Sequence, residues 1–315
     1  MNRKKINFKN YGIFVVFIVL VIILMILSPN AFAKPRNLIN VVKQASINGV
    51  LACGMMFVII AGGIDLSAGS VVALSGVVAA YLAQMQGVPI VVPILGALGT
   101  GALIGLINGF GAAYAELPPF IITLATMSIV RGAALILSGG SPVFGLQEQF
   151  EGIAGISLAN VIPILVLYFL LIAILSGFIL NKTVFGRHVY AIGGNSITAK
   201  VSGINVKSML LRVYVICGVF SGIAGLLIAS RTMQGSPTVG VGYEMDAIAA
   251  VVIGGVSMSG GSGKWYGTII GALLLALISN GLDILGVSSN FQQIIKGIII
   301  AVAVYLDLRG KKTSA

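Results

Sequence analysis

The sequence predicts an all-α polytopic membrane protein of about ten transmembrane helices with two Gly/Ser-interrupted repeat segments. Three observations carry that prediction. Of 315 residues, 58% are hydrophobic and only 9% charged, with a mean hydropathy of +1.08, which excludes an ordinary soluble domain. The apolar residues fall in long runs separated by short polar stretches, and a membrane span needs ~20 of them. Two of the interruptions copy each other: Gly62-Gly63-Ile64-Asp65-Leu66-Ser67-Ala68-Gly69-Ser70 and Gly254-Gly255-Val256-Ser257-Met258-Ser259-Gly260-Gly261-Ser262.

The first run, 13–27, follows Arg3, Lys4, Lys5 and Lys9. Ala31-Phe32-Ala33 behind it resembles a signal-peptidase site, so a cleaved signal and a retained helix both fit; the retained helix is the reading taken. Further apolar segments occupy about 39–61, 70–84, 89–113, 119–138, 160–180, 208–230, 245–258, 265–282 and 291–307. Segments 70–84 and 245–258 are short for a full crossing, and each adjoins a repeat copy, as a broken or re-entrant helix would. Gly62, Gly63 and Gly69 in the first copy, and Gly254, Gly255 and Gly261 in the second, supply the interruption, since glycine weakens helices. Backbone groups freed in lipid must be satisfied by protein or water, and matched breaks in two halves of a chain point to a transport pathway. Glycine-rich interhelical loops would look the same in sequence.

The basic residues set an orientation. With the N-terminus inside, the inner segments collect Arg3, Lys4, Lys5, Lys9, Lys182, Arg187, Lys200, Lys207, Lys264, Arg309, Lys311 and Lys312, and the outer ones only Lys34, Arg36 and Arg231. The outer loop 139–159 carries Glu148 and Glu151. Both termini are therefore expected in the cytoplasm, and the net charge of +11 is read as attraction to anionic lipid rather than to nucleic acid. Ionisable residues within spans are few: Lys43, Asp65, Arg131, Arg212, Asp246, Asp283 and Lys296. Charges at mid-membrane cost ~2.5 kcal/mol or more each, so they face protein or water or snorkel to an interface. Asp65 and Asp246 stand out because each lies in or just before a repeat copy. Gly101, Gly105 and Gly109 form a small-residue ladder, as do Gly267 and Gly271, suited to close helix packing inside one subunit or at a dimer seam.

Cys53 and Cys217 sit inside apolar runs, and His188 is the one histidine, so no disulfide framework or metal site is expected. The chain lacks a Gly-x-x-x-x-Gly-Lys-[Ser/Thr] loop and a Gly-x-Ser-x-Gly elbow; it is read as a transport protein and not an enzyme. The inner loop 181–207 holds the most informative polar stretch. Asn195 suits a helix N-cap, 196–202 about two turns, and Gly203 the stop. This gives either a docking helix for a cytosolic partner or a solvated basic loop.

The motifs Gly62-Gly63-Ile64-Asp65-Leu66-Ser67-x-Gly69-Ser70, Pro119-Phe120-Ile121-x-Thr123-Leu124-Ala125 and Gly140-Ser141-Pro142 occur in one order with Gly193-Gly194-Asn195, Ser202-Gly203-Ile204, Pro237-x-x-Gly240-x-Gly242-Tyr243-Glu244-x-Asp246-Ala247 and Gly281-Leu282-x-x-Leu285-Gly286-Val287-Ser288-Ser289. In that series the chain resembles, nearly end to end, permease subunits of bacterial sugar ABC importers of the ribose type. The resemblance implies a homodimer, cytosolic ATPase subunits carrying ATP and Mg, and an extracytoplasmic sugar-binding protein, with no cofactor on this chain. It implies a single permease domain, 1–315, with a docking helix at 195–203 and Gly194, Asn195, Ala199, Ser202 and Gly203 as the residues of the ATPase-docking loop. Residues 196–201, Ser-Ile-Thr-Ala-Lys-Val, depart from the acidic residue followed by Ala-Arg common in relatives; the departure bears on contacts with the ATPase. Asp65, Ser67, Glu244 and Asp246 are candidates to line or gate the route, with Asn108 and Asn280 on neighbouring helices; each also fits a structural hydrogen bond that holds a loop. Ribose is the cargo expected first; galactose, xylose, an autoinducer-type sugar or ion-coupled secondary transport are the alternatives.

Overall fold

The computed structural model describes residues 8–158 and 162–312. Arg3, Lys4 and Lys5 lie outside the described residues, as do the side chains of Lys9, Arg309, Lys311 and Lys312. Helices α1 (Phe8–Leu27), α2 (Pro29–Phe32), α3 (Pro35–Ile60), α4 (Ala68–Gln84), α5 (Val91–Ala113) and α6 (Pro119–Leu137) form the first half. After α7 (Glu148–Ala154) and the short strands β1 (Ser157–Leu158) and β2 (Ile162–Pro163) come α8 (Ile164–Lys182), α9 (Val184–Gly194) and α10 (Ser196–Val201). The chain closes with α11 (Val206–Thr232), α12 (Tyr243–Ile253), α13 (Trp265–Ile284) and α14 (Ser289–Lys312). Among the described residues, six helices are long and apolar enough to cross a membrane: α3, α5, α6, α8, α11 and α13. Shorter apolar stretches lie in α1, α4 and α14, and α12 has only 11 residues.

Local chemistry sets the boundaries. Pro35 and Pro119 open α3 and α6, where a missing N–H costs nothing and φ is already helical. Asn205 caps α11 by accepting from the Ser208 amide at 3.0 Å, satisfying one of the four orphan donors. At the centre, α3 packs against α11, α12 and α13, and Val50 through Ile60 of α3 are almost wholly inaccessible. The outward faces of α6 and α8 expose Ile129, Ile136, Leu171, Ile174 and Phe178 instead, apolar outside as lipid requires. The glycine ladder of α5 faces α11 of the same chain. A Cβ on Gly101 or Gly105 would run into the carbonyls of Gly218 or Tyr214, and one on Gly109 would sit 2.8 Å from the Leu211 Cα. Gly267 and Gly271 likewise abut Gly254 and Ala250 of α12. Both ladders are therefore occupied by packing inside the subunit.

Cross-links assign the connections to two ends of the bundle. At one end, Lys207 pairs with Glu116 at 2.9 Å, and the Tyr190 hydroxyl donates to the Gly263 carbonyl at 3.0 Å. Lys182, Arg187, Lys200 and Lys264 belong to the same connections. At the other end, Val143 bridges Gly235, Gln147 donates to the Met85 carbonyl, and Asn37 and Asn280 bond reciprocally at 2.9 Å. Lys34, Arg36 and Arg231 belong there.

Four readings of the sequence change. The stretch 181–207 is not a solvated loop: α9 occupies 184–194 of it, burying Val189 and Ile192. The stretch 139–159, read as an outer loop, folds α7, whose Phe150 is fully buried. Residues 162–163 pair with 157–158 as a small antiparallel hairpin, so α8 starts only at Ile164. The second short segment stops being helical after Ile253, because the chain turns at Gly255 with φ +84°.

Candidate functional site

Both repeat copies end a helix in the same way. In the first, the Gly63 amide reaches back to the Val58 carbonyl at 2.9 Å while Gly62 turns with φ +87°. In the second, the Val256 amide reaches the Val251 carbonyl at 3.1 Å while Gly255 turns with φ +84°. Each is the left-handed glycine cap that satisfies the last carbonyls of a helix. The conformational match is Gly62 with Gly255, offset by one from the match read in the sequence. Gly254 serves a different need, close approach to the backbone of Gly267.

The two copies then meet. The Gly261 amide donates to the Ile60 carbonyl at 2.8 Å, joining the second break to the end of α3. A Cβ on Gly260 would lie 2.8 Å from the Gly193 carbonyl oxygen and 3.0 Å from Gly62, and one on Gly193 would enter the Ile60 carbonyl. Three backbones thus touch without intervening side chains: the ends of α3 and α9 and the loop after α12. From this junction Gly194 leads directly into α10. Asn195 caps α10 by accepting from the Thr198 amide at 2.9 Å, and Gly203 ends it at φ +85°. The Ser202 hydroxyl donates to the Thr198 carbonyl at 2.9 Å. Ala199 is buried on the inner face of α10, while Ile197 and Val201 stand 76% and 85% exposed. A short capped helix therefore presents two bare aliphatic side chains, held by a glycine hinge on both repeat breaks.

The six polar candidates fall into separate groups. Asp65 Oδ1 accepts from the Ser67 amide at 2.9 Å and the Ser67 hydroxyl at 2.6 Å, and the Asn108 amide donates to that hydroxyl at 2.8 Å. All three are sealed from solvent. Tyr214 of α11 and Thr123 of α6 add bonds to the Ile64 carbonyl, at 3.2 and 3.4 Å. This network ties the loop between α3 and α4 to α5, α6 and α11. Glu244, half-buried, opens α12 against the start of α4, where a Cβ on Gly69 would strike its carboxylate. Asp246 turns elsewhere, to Lys296 of α14 at 3.0 Å and Asn48 of α3 at 3.4 Å. Asn280 pairs with Asn37.

One residue carries more than its sequence context suggested. The Arg131 guanidinium, in the middle of α6, donates to the Pro237 and Val239 carbonyls at 2.6 and 2.8 Å. It anchors the irregular segment between α11 and α12, whose carbonyls otherwise lack helical partners. The signal was present as a lone charge in an apolar run. Outside the apolar helices, the Lys207 ammonium beside Glu116 holds that carboxyl below its ordinary value.

Residues 37–304 match the family described as branched-chain amino acid transport system / permease component. The chain belongs to that family. This permease is also similar to curated proteins along nearly its full length. It is 42% identical over 284 residues to the ribose import permease protein RbsC of Escherichia coli K12, covering 89% of this chain and 88% of that one. Against the ribose import permease protein RbsC of Bacillus subtilis the identity is 42% over 310 residues, covering 97% and 96%. The xylose transport system permease protein XylH of Haemophilus influenzae is 36% identical over 369 residues, with 98% of each chain covered. No solved structure matches.

Proposed function

We propose that this permease is the membrane-spanning subunit of an ATP-driven importer that passes a monosaccharide, ribose first, across a bacterial plasma membrane. The observation that carries the mechanism is the glycine junction, where an exposed capped helix meets the ends of both repeat breaks. Two copies of the chain would form the pore, each seating an ATPase subunit on Ile197 and Val201 of α10. ATP and Mg belong to that ATPase. Closure of the ATPase pair would push α10 and, through Gly193 and Gly194, move the ends of α3 and α12 together. The end of the bundle that holds Lys182, Arg187, Lys200, Lys207 and Lys264 faces the cytoplasm and its anionic lipid, with the helices alternating across the membrane and α12 as the broken one. The segment between α11 and α12 faces the extracytoplasmic sugar-binding protein.

Ribose is favoured by the names of the relatives, two of which import it at 42% identity; the family description names amino acids instead. The deciding experiment is uptake into vesicles holding this chain with its ATPase and binding protein. Labelled ribose should accumulate with ATP, and labelled leucine should not. Leucine uptake in place of ribose would overturn the cargo assignment.

A further inference from the structure

Most charges at membrane depth are answered within the chain. Arg131 is held by two carbonyls, Asp65 by Ser67, Asp246 by Lys296 and Asp283 by Gln292. Two stay unpaired among the described residues: Arg212, which is exposed, and Lys43 of α3, which is half-buried. A charge in a membrane-embedded helix normally faces a partner. The length of α3 sets the depth of Lys43. Its 26 residues make about 39 Å at 1.5 Å per residue, against a hydrocarbon core of about 30 Å. Centred in the bilayer, α3 overhangs each boundary by roughly 4–5 Å, which leaves the Lys43 backbone, about 12 Å from the start of the helix, roughly 7–8 Å inside. Its stem leans towards the helix N-terminus and carries the ammonium back to the boundary, where lipid phosphates begin.

Beside Lys43 lies a groove of about 250 Å³ between α3 and the start of α8, lined by Leu38, Ile39, Val42, Ile162, Pro163 and Val166. Every lining side chain is apolar, and Leu38 and Ile162 are exposed, so the groove opens outward. At 100° per residue, Arg36 and Lys43 lie about 20° apart around α3, and Ile39 about 40° from Lys43. Arg36 is exposed and its guanidinium also lacks a partner among the described residues. Two unanswered cations, one above the other, thus border one flank of an apolar groove.

We propose that this groove binds an anionic phospholipid in the leaflet at which α3 begins, with its phosphate between Arg36 and Lys43 and an acyl chain along Val42 and Val166. The inference requires only that the chain spans a bilayer and is independent of the cargo. Charge complementarity selects the occupant: a zwitterionic headgroup brings its own ammonium to the phosphate, whereas an anionic one leaves both cations to the protein. The site lies at the opposite end of the bundle from Lys182, Lys200 and Lys264, the basic connections to which the sequence assigns the attraction to anionic lipid.

The test uses the full chain in phosphatidylcholine nanodiscs, doped with phosphatidylglycerol or phosphatidylcholine that carries a photoreactive diazirine in one acyl chain. Labelled peptides are then quantified by mass spectrometry. The phosphatidylglycerol probe should label residues 36–43 and 162–166 at least fivefold more than the phosphatidylcholine probe, while the two label α6 around Ile129 and Ile136 equally. Arg36→Gln with Lys43→Gln should bring the probes level in the groove, and Lys43→Arg should keep the preference. Val166→Trp, which fills the groove, should reduce labelling there by both probes. Equal labelling of the groove by the two probes in the unsubstituted chain, a comparison that needs no variant to fold, would overturn the site. So would no labelling there by either probe, the same preference on α6, or a preference that survives the double substitution. A disulfide between two copies through Ile39→Cys would place a second copy in the groove and overturn the lipid as its occupant.

Discussion

Gly193→Ala isolates the junction between α10 and the repeat breaks. The added methyl would overlap the Ile60 carbonyl and lie 2.6 Å from the Gly261 amide. Both are backbone groups, so no side-chain rotation relieves the clash. Overpacking of this kind costs about 1–3 kcal/mol. Parting Gly261 from Ile60 removes a hydrogen bond of about 0.5–1.5 kcal/mol net. Together these make about 1.5–4.5 kcal/mol against the closed junction, a population drop of roughly 10- to 2,000-fold at 1.36 kcal/mol per decade. Gly194→Ala is the control: its Cβ would meet nothing closer than the Gly261 Cα at 4.0 Å, and alanine at a helix end is tolerated. The assay is the ratio of sugar transported to ATP hydrolysed in vesicles. Gly193→Ala should hydrolyse ATP with little uptake, and Gly194→Ala should behave as wild type. Equal ratios in the two variants would refute the claim that α10 acts through this contact.

Gly203→Val should also uncouple, more mildly, because φ +85° is strained for a β-branched residue although no atom lies within 4 Å; a β-branched residue there costs about 1–3 kcal/mol, and unchanged coupling would count against it. Arg131→Met should release the Pro237 and Val239 carbonyls and reduce uptake at least tenfold while the protein still assembles in detergent; full uptake would show that the anchor is dispensable. Asp65→Ala removes the acceptor that organises Ser67, at a cost of about 1–3 kcal/mol, read as a lowered Tm. The Glu116–Lys207 pair has a pH signature. The Glu116 carboxyl is depressed by Lys207, so its contribution is present above the ordinary glutamate value and vanishes as pH falls through the depressed one. The Tm difference between wild type and Glu116→Gln should therefore hold steady from pH 8 to about 5.5 and close only in stronger acid; closure near neutrality would contradict the pairing.

The helices were legible because lipid demands long apolar runs, and no other pattern in the chain competes with that signal. Asn195 and Gly203 were equally readable, since a cap depends on neighbours in sequence. What escaped is tertiary. In α9, Phe185, Val189 and Ile192 have helical spacing, yet the glycines at 186, 193 and 194 disguised it; those at 186 and 193 are there for backbone contact. The match of Gly62 with Gly255 rather than with Gly254 depends on where each helix stops, and Gly254 answers to Gly267 in the next helix, a contact between helices rather than within one. Asp65 and Asp246 looked alike as carboxylates beside repeat copies, but one is sealed among hydroxyls and the other pairs with Lys296, a partnership no local pattern discloses.

The most direct measurement is the energy source for uptake in vesicles containing this chain. With an ABC ATPase and a sugar-binding protein present, labelled ribose should accumulate only when ATP is supplied, and should continue after proton and sodium gradients are collapsed. Accumulation driven by either gradient without the ATPase would contradict the account.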